Sequence, residues 1–262
     1  MNSYDIYPNP DEKPLDKLVE GYSHTSIFRR IAFIGDSLSS GEFETKDADG
    51  THHYHDIFEY SWGQFIARNN GITAYNFSRG GMTAKTYLES FADKMGYFDP
   101  ALAAHAYVIA LGVNDLCNRG MPLGEMSDVH PEDYRKNNFE SFLGNYAAII
   151  SRYKEISPDA KFFLLTMPRD HREKNRAIKA EMQQAMFRLA DLFEGVYVID
   201  LHTYAPIYDE RFKEEYFLLG HLSPAGYLFT AKMVDSYIDY IVRHNPQDFK
   251  NVGFIGTGIE YK

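Results

Sequence analysis

The 262-residue sequence predicts an α/β fold in which a five-stranded parallel sheet is covered by helices on both faces. Three observations predict it. Five short apolar or β-rich runs recur along the chain. Long segments with helical periodicity stand between them. No internal repeat, low-complexity tract or Pro/Gly/Ser-rich linker divides the sequence, which favours a single domain over 1–262. The proportions of hydrophobic (44%) and charged (24%) residues are globular and exclude a disordered chain.

The expected strands are 31–34, 73–77, 106–111, 161–166 and 196–201, each short and each ended by Gly, Pro or polar residues. Phe139, Phe142, Leu143, Tyr146, Ile149 and Tyr153 recur at helical spacing and form one core-facing stripe. Ile178, Met182, Met186, Leu189 and Phe193 form a second. The last helix has Ser223 as N-cap and Pro224 at its first position, with Tyr227, Ala231, Val234, Ile238 and Ile241 on its buried face. Strands alternating with helices imply right-handed crossovers, and a ligand then binds beyond the carboxyl ends of the strands. Residues 1–26 and 245–262 fall outside the alternation as appendages. Their aromatics, among them Tyr4, Tyr7, Phe249, Phe254 and Tyr261, are available to pack on the body or on a second copy in a homo-oligomer.

Composition removes several function classes. With 27 Lys+Arg against 37 Asp+Glu the net charge is −10, which argues against nucleic acid as a partner. No apolar run approaches the roughly 18 residues that span a bilayer. The polar, acidic start carries no signal-peptide pattern, so a cytoplasmic location is expected. A lone cysteine, Cys117, excludes an intrachain disulfide framework and a multi-cysteine zinc site, and reads as a small packed residue. His52, His53, His55 and Asp56 have a metal-binding composition without a recognised ligand spacing. The stretch 42–60 therefore reads as a surface loop, placed after the first strand to rim a site as a lid or substrate contact. The 20 Tyr and 19 Phe residues can serve a core, an interface or a sugar-binding cleft.

Chemistry is expected where strands end. Gly35-Asp36-Ser37-Leu38 follows the first strand, where Asp36 or Ser37 either caps a helix or presents a hydroxyl to the crevice. Ser78-Arg79-Gly80-Gly81 follows the second, and its paired glycines suit a turn or a close approach of backbone to ligand. Gly112-Val113-Asn114-Asp115 follows the third, and Asn114 offers an amide donor or a turn residue. Pro168-Arg169-Asp170-His171-Arg172 follows the fourth, as a solvated helix entry or a contact for an anionic group. Gly220-His221-Leu222-Ser223-Pro224 sets a histidine just before a helix.

In this order the segments resemble the four blocks of the SGNH hydrolases, the GDSL esterase/lipase family, over residues 30–242. The resemblance implies a flavodoxin-like three-layer α/β/α sandwich and a serine esterase that needs no cofactor or metal. It implies Ser37 as nucleophile and His221 as general base. It also implies an oxyanion hole made by the backbone N–H groups of Ser37 and Gly81 and the side-chain amide of Asn114. A short acyl ester, with a carbohydrate acetyl ester first, is the expected small-molecule partner. A short-chain lipase or thioesterase and a noncatalytic ligand-binding scaffold are the alternatives. The sequence departs from the family pattern at Leu218, where an aspartate usually stands three residues before the histidine. Glu214, Glu215 and Asp200 are the candidate replacements, a backbone carbonyl near Leu218 is another, and a slow or inactive chain is the third outcome.

Overall fold

The computed structural model describes residues 8–171 and 173–259. Tyr4, Tyr7, Arg172 and Tyr261 lie outside the described residues. In chain order the strands are β1 (Arg30–Gly35), β2 (Glu42–Lys46), β3 (His52–Asp56), β4 (Thr73–Ser78), β5 (Ala106–Ala110), β6 (Lys161–Leu165), β7 (Val196–Ile199), β8 (Phe217–Leu218) and β9 (His221–Leu222). The five expected runs form one parallel sheet in the order β4-β1-β5-β6-β7. Because β1 is flanked by β4 and β5, the direction of winding reverses beside it, which opens a crevice at the carboxyl ends of these three strands. The register sets Gly35 beside both Ser78 and Ala110, so the segments leaving β1, β4 and β5 emerge together.

The two faces of the sheet follow from the period of two along each strand. Ile31, Phe33, Val108 and Phe163 face a buried layer containing Trp62, Ile66, Tyr227, Val234 and Ile238. These residues belong to the helices Trp62–Asn70 and Pro224–His244. Ala32, Ile34, Tyr107, Ile109 and Phe162 face the opposite layer, with Phe142, Tyr146, Met182 and Met186 of the helices Phe142–Ile156 and Arg176–Ala190. Each large side chain so buried contributes about 1.5–3 kcal/mol. Gly63 lets the first of these helices sit directly on the sheet, since a Cβ there would lie 2.7 Å from the Phe33 ring. The last helix begins as expected, with the Ser223 hydroxyl accepting from Gly226 N–H and Pro224 at its first position. Among the described residues no helix is long and apolar enough to cross a membrane.

The stretch 42–60 differs from the loop expected there. Its first part is an antiparallel hairpin, β2 paired with β3, closed by Asp47 N–H on Thr51 O and by Gly50 at φ +92°. A second, two-residue hairpin pairs β8 with β9 and places Leu219 at φ +56° in its turn. The described parts of both appendages are tied to the body. Phe249, Val252 and Ile255 are buried in the same layer as Phe28, and Glu12 holds Arg243 at 2.9 and 3.0 Å.

Asp235 of the last helix is the centre of the N-terminal attachment. It accepts from Ser23 Oγ (2.7 Å), Thr25 Oγ1 (2.6 Å) and Asn70 Nδ2 (3.0 Å), all buried. Removing the carboxylate leaves Thr25 Oγ1 and one Asn70 N–H without this acceptor, while Ser23 Oγ keeps Asn70 Oδ1 at 3.0 Å; each unpaired buried donor costs about 1–3 kcal/mol. Asp235→Ala is expected to lower unfolding free energy by about 3 kcal/mol or more, read as a fall in the urea midpoint.

Candidate active site

The helix-capping reading of the Asp36-Ser37 pair holds. Asp36 caps the one-turn helix Ser37–Ser40 by accepting from Leu38 N–H at 3.1 Å, and the turn ends at Gly41 with φ +80°. Ser37 is thus the first residue of a turn emerging from β1 into the crevice. Burial pushes the Asp36 carboxyl up to about 7, against the opposing effect of the Leu38 N–H. Its second oxygen lies 3.5 Å from Asn114 Nδ2.

Asn114 stands on the wide turn that leaves β5. Its Oδ1 accepts from Asn118 Nδ2 at 2.9 Å, which fixes the amide so that Nδ2 is the end turned toward Met82 O (3.1 Å) and Asp36. Asp115 beside it accepts from Ala84 N–H at 2.9 Å and so ties the loop after β4 to the exit of β5. Burial pushes the Asp115 carboxyl up to about 6, and its other oxygen has no hydrogen-bond partner among the described residues. Gly81, on the loop so tied, takes φ +69°, where a side chain would be strained. Ser37, Gly81, Asn114 and His221 line one cleft of about 780 Å³.

The histidine is held by residues from the hairpin. His221 Nδ1 lies 3.1 Å from Glu44 Oε2, and its Nε2 lies 3.1 Å from Glu42 Oε1. Glu44 is nearly buried and has three donors: His221, Gly220 N–H at 2.8 Å and His52 Nδ1 at 2.5 Å. Burial alone would raise the Glu44 carboxyl, but the hydrogen bonds from His52, His221 and Gly220 outweigh it and hold it below its ordinary value. For His221 burial pulls downward, and the hydrogen bonds and charges of Glu42 and Glu44 overcome it and raise the imidazole. The Tyr54 ring of β3 meets His221 edge-on at 5.8 Å.

The acids expected to orient His221 stand elsewhere, which corrects the sequence reading. Glu214 and Glu215 lie exposed on the helix Glu210–Tyr216, and Glu215 accepts from Arg211 Nε at 2.8 Å. Asp200 is buried in capping the turn Leu201–Tyr204, where it accepts from Thr166 Oγ1, Gln183 Nε2 and Thr203 N–H. Proximity in sequence misled here, because the partner of His221 lies 177 positions away. Leu218, at the usual acid position, is exposed. Glu42, Glu44 and Tyr54 belong to the stretch expected to rim the site, but sequence reasoning does not single them out. The available signal was Asp49-Gly50, a hairpin turn pair between two runs with β-formers.

The remaining candidates have plainer places. His52, His53 and His55 contact Glu44, Asp47 and Thr45. Among the described residues no group of three or more His, Cys, Asp or Glu could hold a metal ion. Cys117 is half-buried, with its sulfur 4.0 Å from that of Met167. Asp170 reaches the cleft but is paired with Lys179 at 2.9 Å in a buried ion pair, and Arg169 turns to Thr203 O.

The model of the GDSL-like lipase/acylhydrolase family matches residues 33–228. No curated protein matches the chain. Among solved structures, a family two carbohydrate esterase from Clostridium thermocellum in complex with cellohexaose is 18% identical, with a TM-score of 0.56 over 84% of this chain and 65% of that one. A carbohydrate esterase family 2 enzyme with a carbohydrate binding domain from Corynascus thermopiles is also 18% identical, with a TM-score of 0.55 over 82% of this chain and 66% of that one. A protein from Lactobacillus plantarum is 16% identical, with a TM-score of 0.60 over 81% of this chain and 97% of that one. At these identities the likeness is one of fold, and it agrees with the α/β/α layering described above. The family match runs from β1 into the last helix, and this chain therefore belongs to the GDSL-like lipase/acylhydrolase family of carboxylic ester hydrolases.

Proposed function

We propose that this chain is a serine esterase for short acyl esters, acetyl esters of carbohydrates first, working through an acyl-enzyme. The observation that carries the reading is the imidazole of His221, buttressed at Nδ1 by Glu44 in the cleft it shares with Ser37, Gly81 and Asn114. A serine hydroxyl is a weak nucleophile at neutral pH and needs a neutral imidazole to take its proton. The Ser37 oxygen bonds to the acyl carbon as its proton passes to His221 Nε2. The carbonyl oxygen becomes an oxyanion, stabilised by the N–H groups of Ser37 and Gly81 and by Asn114 Nδ2. The carbon–oxygen bond to the alcohol then breaks, and the alcohol oxygen takes the proton from Nε2. Water repeats the sequence on the acyl-enzyme and releases the acid. Before the first step Nε2 has to leave Glu42, whose Oε1 lies 3.1 Å from it.

Glu44 takes the place of the missing aspartate. Its negative charge keeps the Nδ1 proton in position and stabilises the imidazolium formed during attack. A carbohydrate leaving group is supported by Tyr54, an exposed ring at the cleft whose flat face suits a sugar.

Ser37→Ala is expected to lower hydrolysis of p-nitrophenyl acetate by at least ~10³-fold and to abolish labelling by a fluorophosphonate. Equal rates from both proteins would sink the nucleophile assignment. His221→Ala should remove acylation to a similar degree.

The pH dependence carries its own sign. The base works neutral, and the carboxylates facing it, Glu42 and Glu44 with Asp36 beyond, favour its charged form overall. The rate should therefore rise with pH through a midpoint above the ordinary histidine value of about 6.5. Glu44→Gln should move that midpoint to lower pH while reducing kcat by up to ~10⁴-fold. An unmoved midpoint in a pH profile of kcat/KM would count against Glu44.

A further inference from the structure

We propose that Glu42 is the specificity residue for the leaving group and selects alcohols with neighbouring hydroxyl donors, as sugars and other polyols have; this rests on the esterase reading above. The departing oxygen collects its proton from His221 Nε2, so it must come within about 2.6–3.2 Å of that nitrogen. Glu42 Oε1 lies 3.1 Å from the same nitrogen, which makes the carboxylate an immediate neighbour of the departing oxygen.

The carboxylate is built into this position. Glu42 is only 9% exposed. Its other oxygen packs on Gly80, where a Cβ would collide with it, so the loop carrying Gly81 is shaped around the acid. Its backbone carbonyl accepts from Tyr227 Oη at 2.6 Å. Of the other charged residues around it, Asp56 accepts from Ser40 Oγ, Asp170 pairs with Lys179, Glu44 holds Nδ1, Arg79 lies over the Phe91 ring at 4.9 Å, and Lys213 also lines the cleft.

An ionised carboxylate accepts hydrogen bonds and donates none. Hydroxyl groups flanking the ester satisfy it, whereas an anionic leaving group is repelled. The same hydroxyls draw Glu42 away from Nε2 and leave that nitrogen open to the Ser37 proton. A leaving group without donors lacks this means of releasing the base. Glu42 thus discriminates in the rate as well as in binding.

The test compares kcat/KM for a mono-acetylated methyl β-xyloside and for p-nitrophenyl acetate in the wild type, Glu42→Gln and Glu42→Ala. Loss of one charged hydrogen bond is expected to lower the sugar-to-aryl ratio by about 10–100-fold, with the aryl rate rising as Nε2 is released. Changes of equal size on both substrates, or none, overturn the proposal while Ser37-dependent hydrolysis upholds the esterase. A second arm measures methyl β-xyloside binding by calorimetry to Ser37→Ala, with and without Glu42→Gln. A Kd raised about tenfold or more by the second substitution supports the role of Glu42, and an unchanged Kd overturns it. Absence of any Ser37-dependent hydrolysis would overturn the esterase reading, and the binding arm would still decide on Glu42.

Discussion

One carboxylate, that of Glu44, joins parts of the chain that the sheet alone would leave apart. The parallel sheet brings the exits of β1, β4 and β5 together, but it does not determine where the turn before the last helix lies. Glu44 does so by accepting from Gly220 N–H and His221 Nδ1 on the β8–β9 turn and from His52 across its own hairpin. A buried anion without donors would cost several kcal/mol. With three donors it becomes the point to which the histidine turn, the hairpin and the cleft are referenced.

The fold was legible because its signals were periodic and local. Ile31, Phe33, Tyr107 and Phe162 sit in strands buried on both faces, so they read as continuous apolar runs. The stripes Phe142-Tyr146-Ile149 and Tyr227-Val234-Ile238 mark their helices without help from tertiary contacts. That Ser37, Gly81, Asn114 and His221 share one cleft was legible because strand ends are the places where this architecture gathers side chains. The carboxylate beside His221 Nδ1 was not, since Glu44 meets His221 only after the chain has closed on itself. The hairpin was hidden by its exposed composition, for β3 reads His-His-Tyr-His-Asp and carries no apolar alternation.

The aromatic abundance mostly serves the interior. Tyr87, Tyr107, Tyr146 and Tyr153 are fully buried, and their hydroxyls are paired. Tyr87 meets Tyr153 at 2.6 Å, Tyr146 donates to Ile109 O at 2.8 Å, and Tyr107 accepts from Ala104 N–H at 3.1 Å. Burial raises these phenols, so they stay neutral donors and acceptors at physiological pH. Tyr54 differs, with its ring in solvent at the cleft.

Tyr227 adds a mechanical consequence. Its hydroxyl lies 2.6 Å from Glu42 O and 3.4 Å from Ser37 O, so the last helix clasps the turn carrying Ser37 and the foot of the hairpin together. With that backbone fixed, the release of His221 Nε2 that the proposed mechanism requires would be a torsional swing of the Glu42 side chain rather than a displacement of the hairpin.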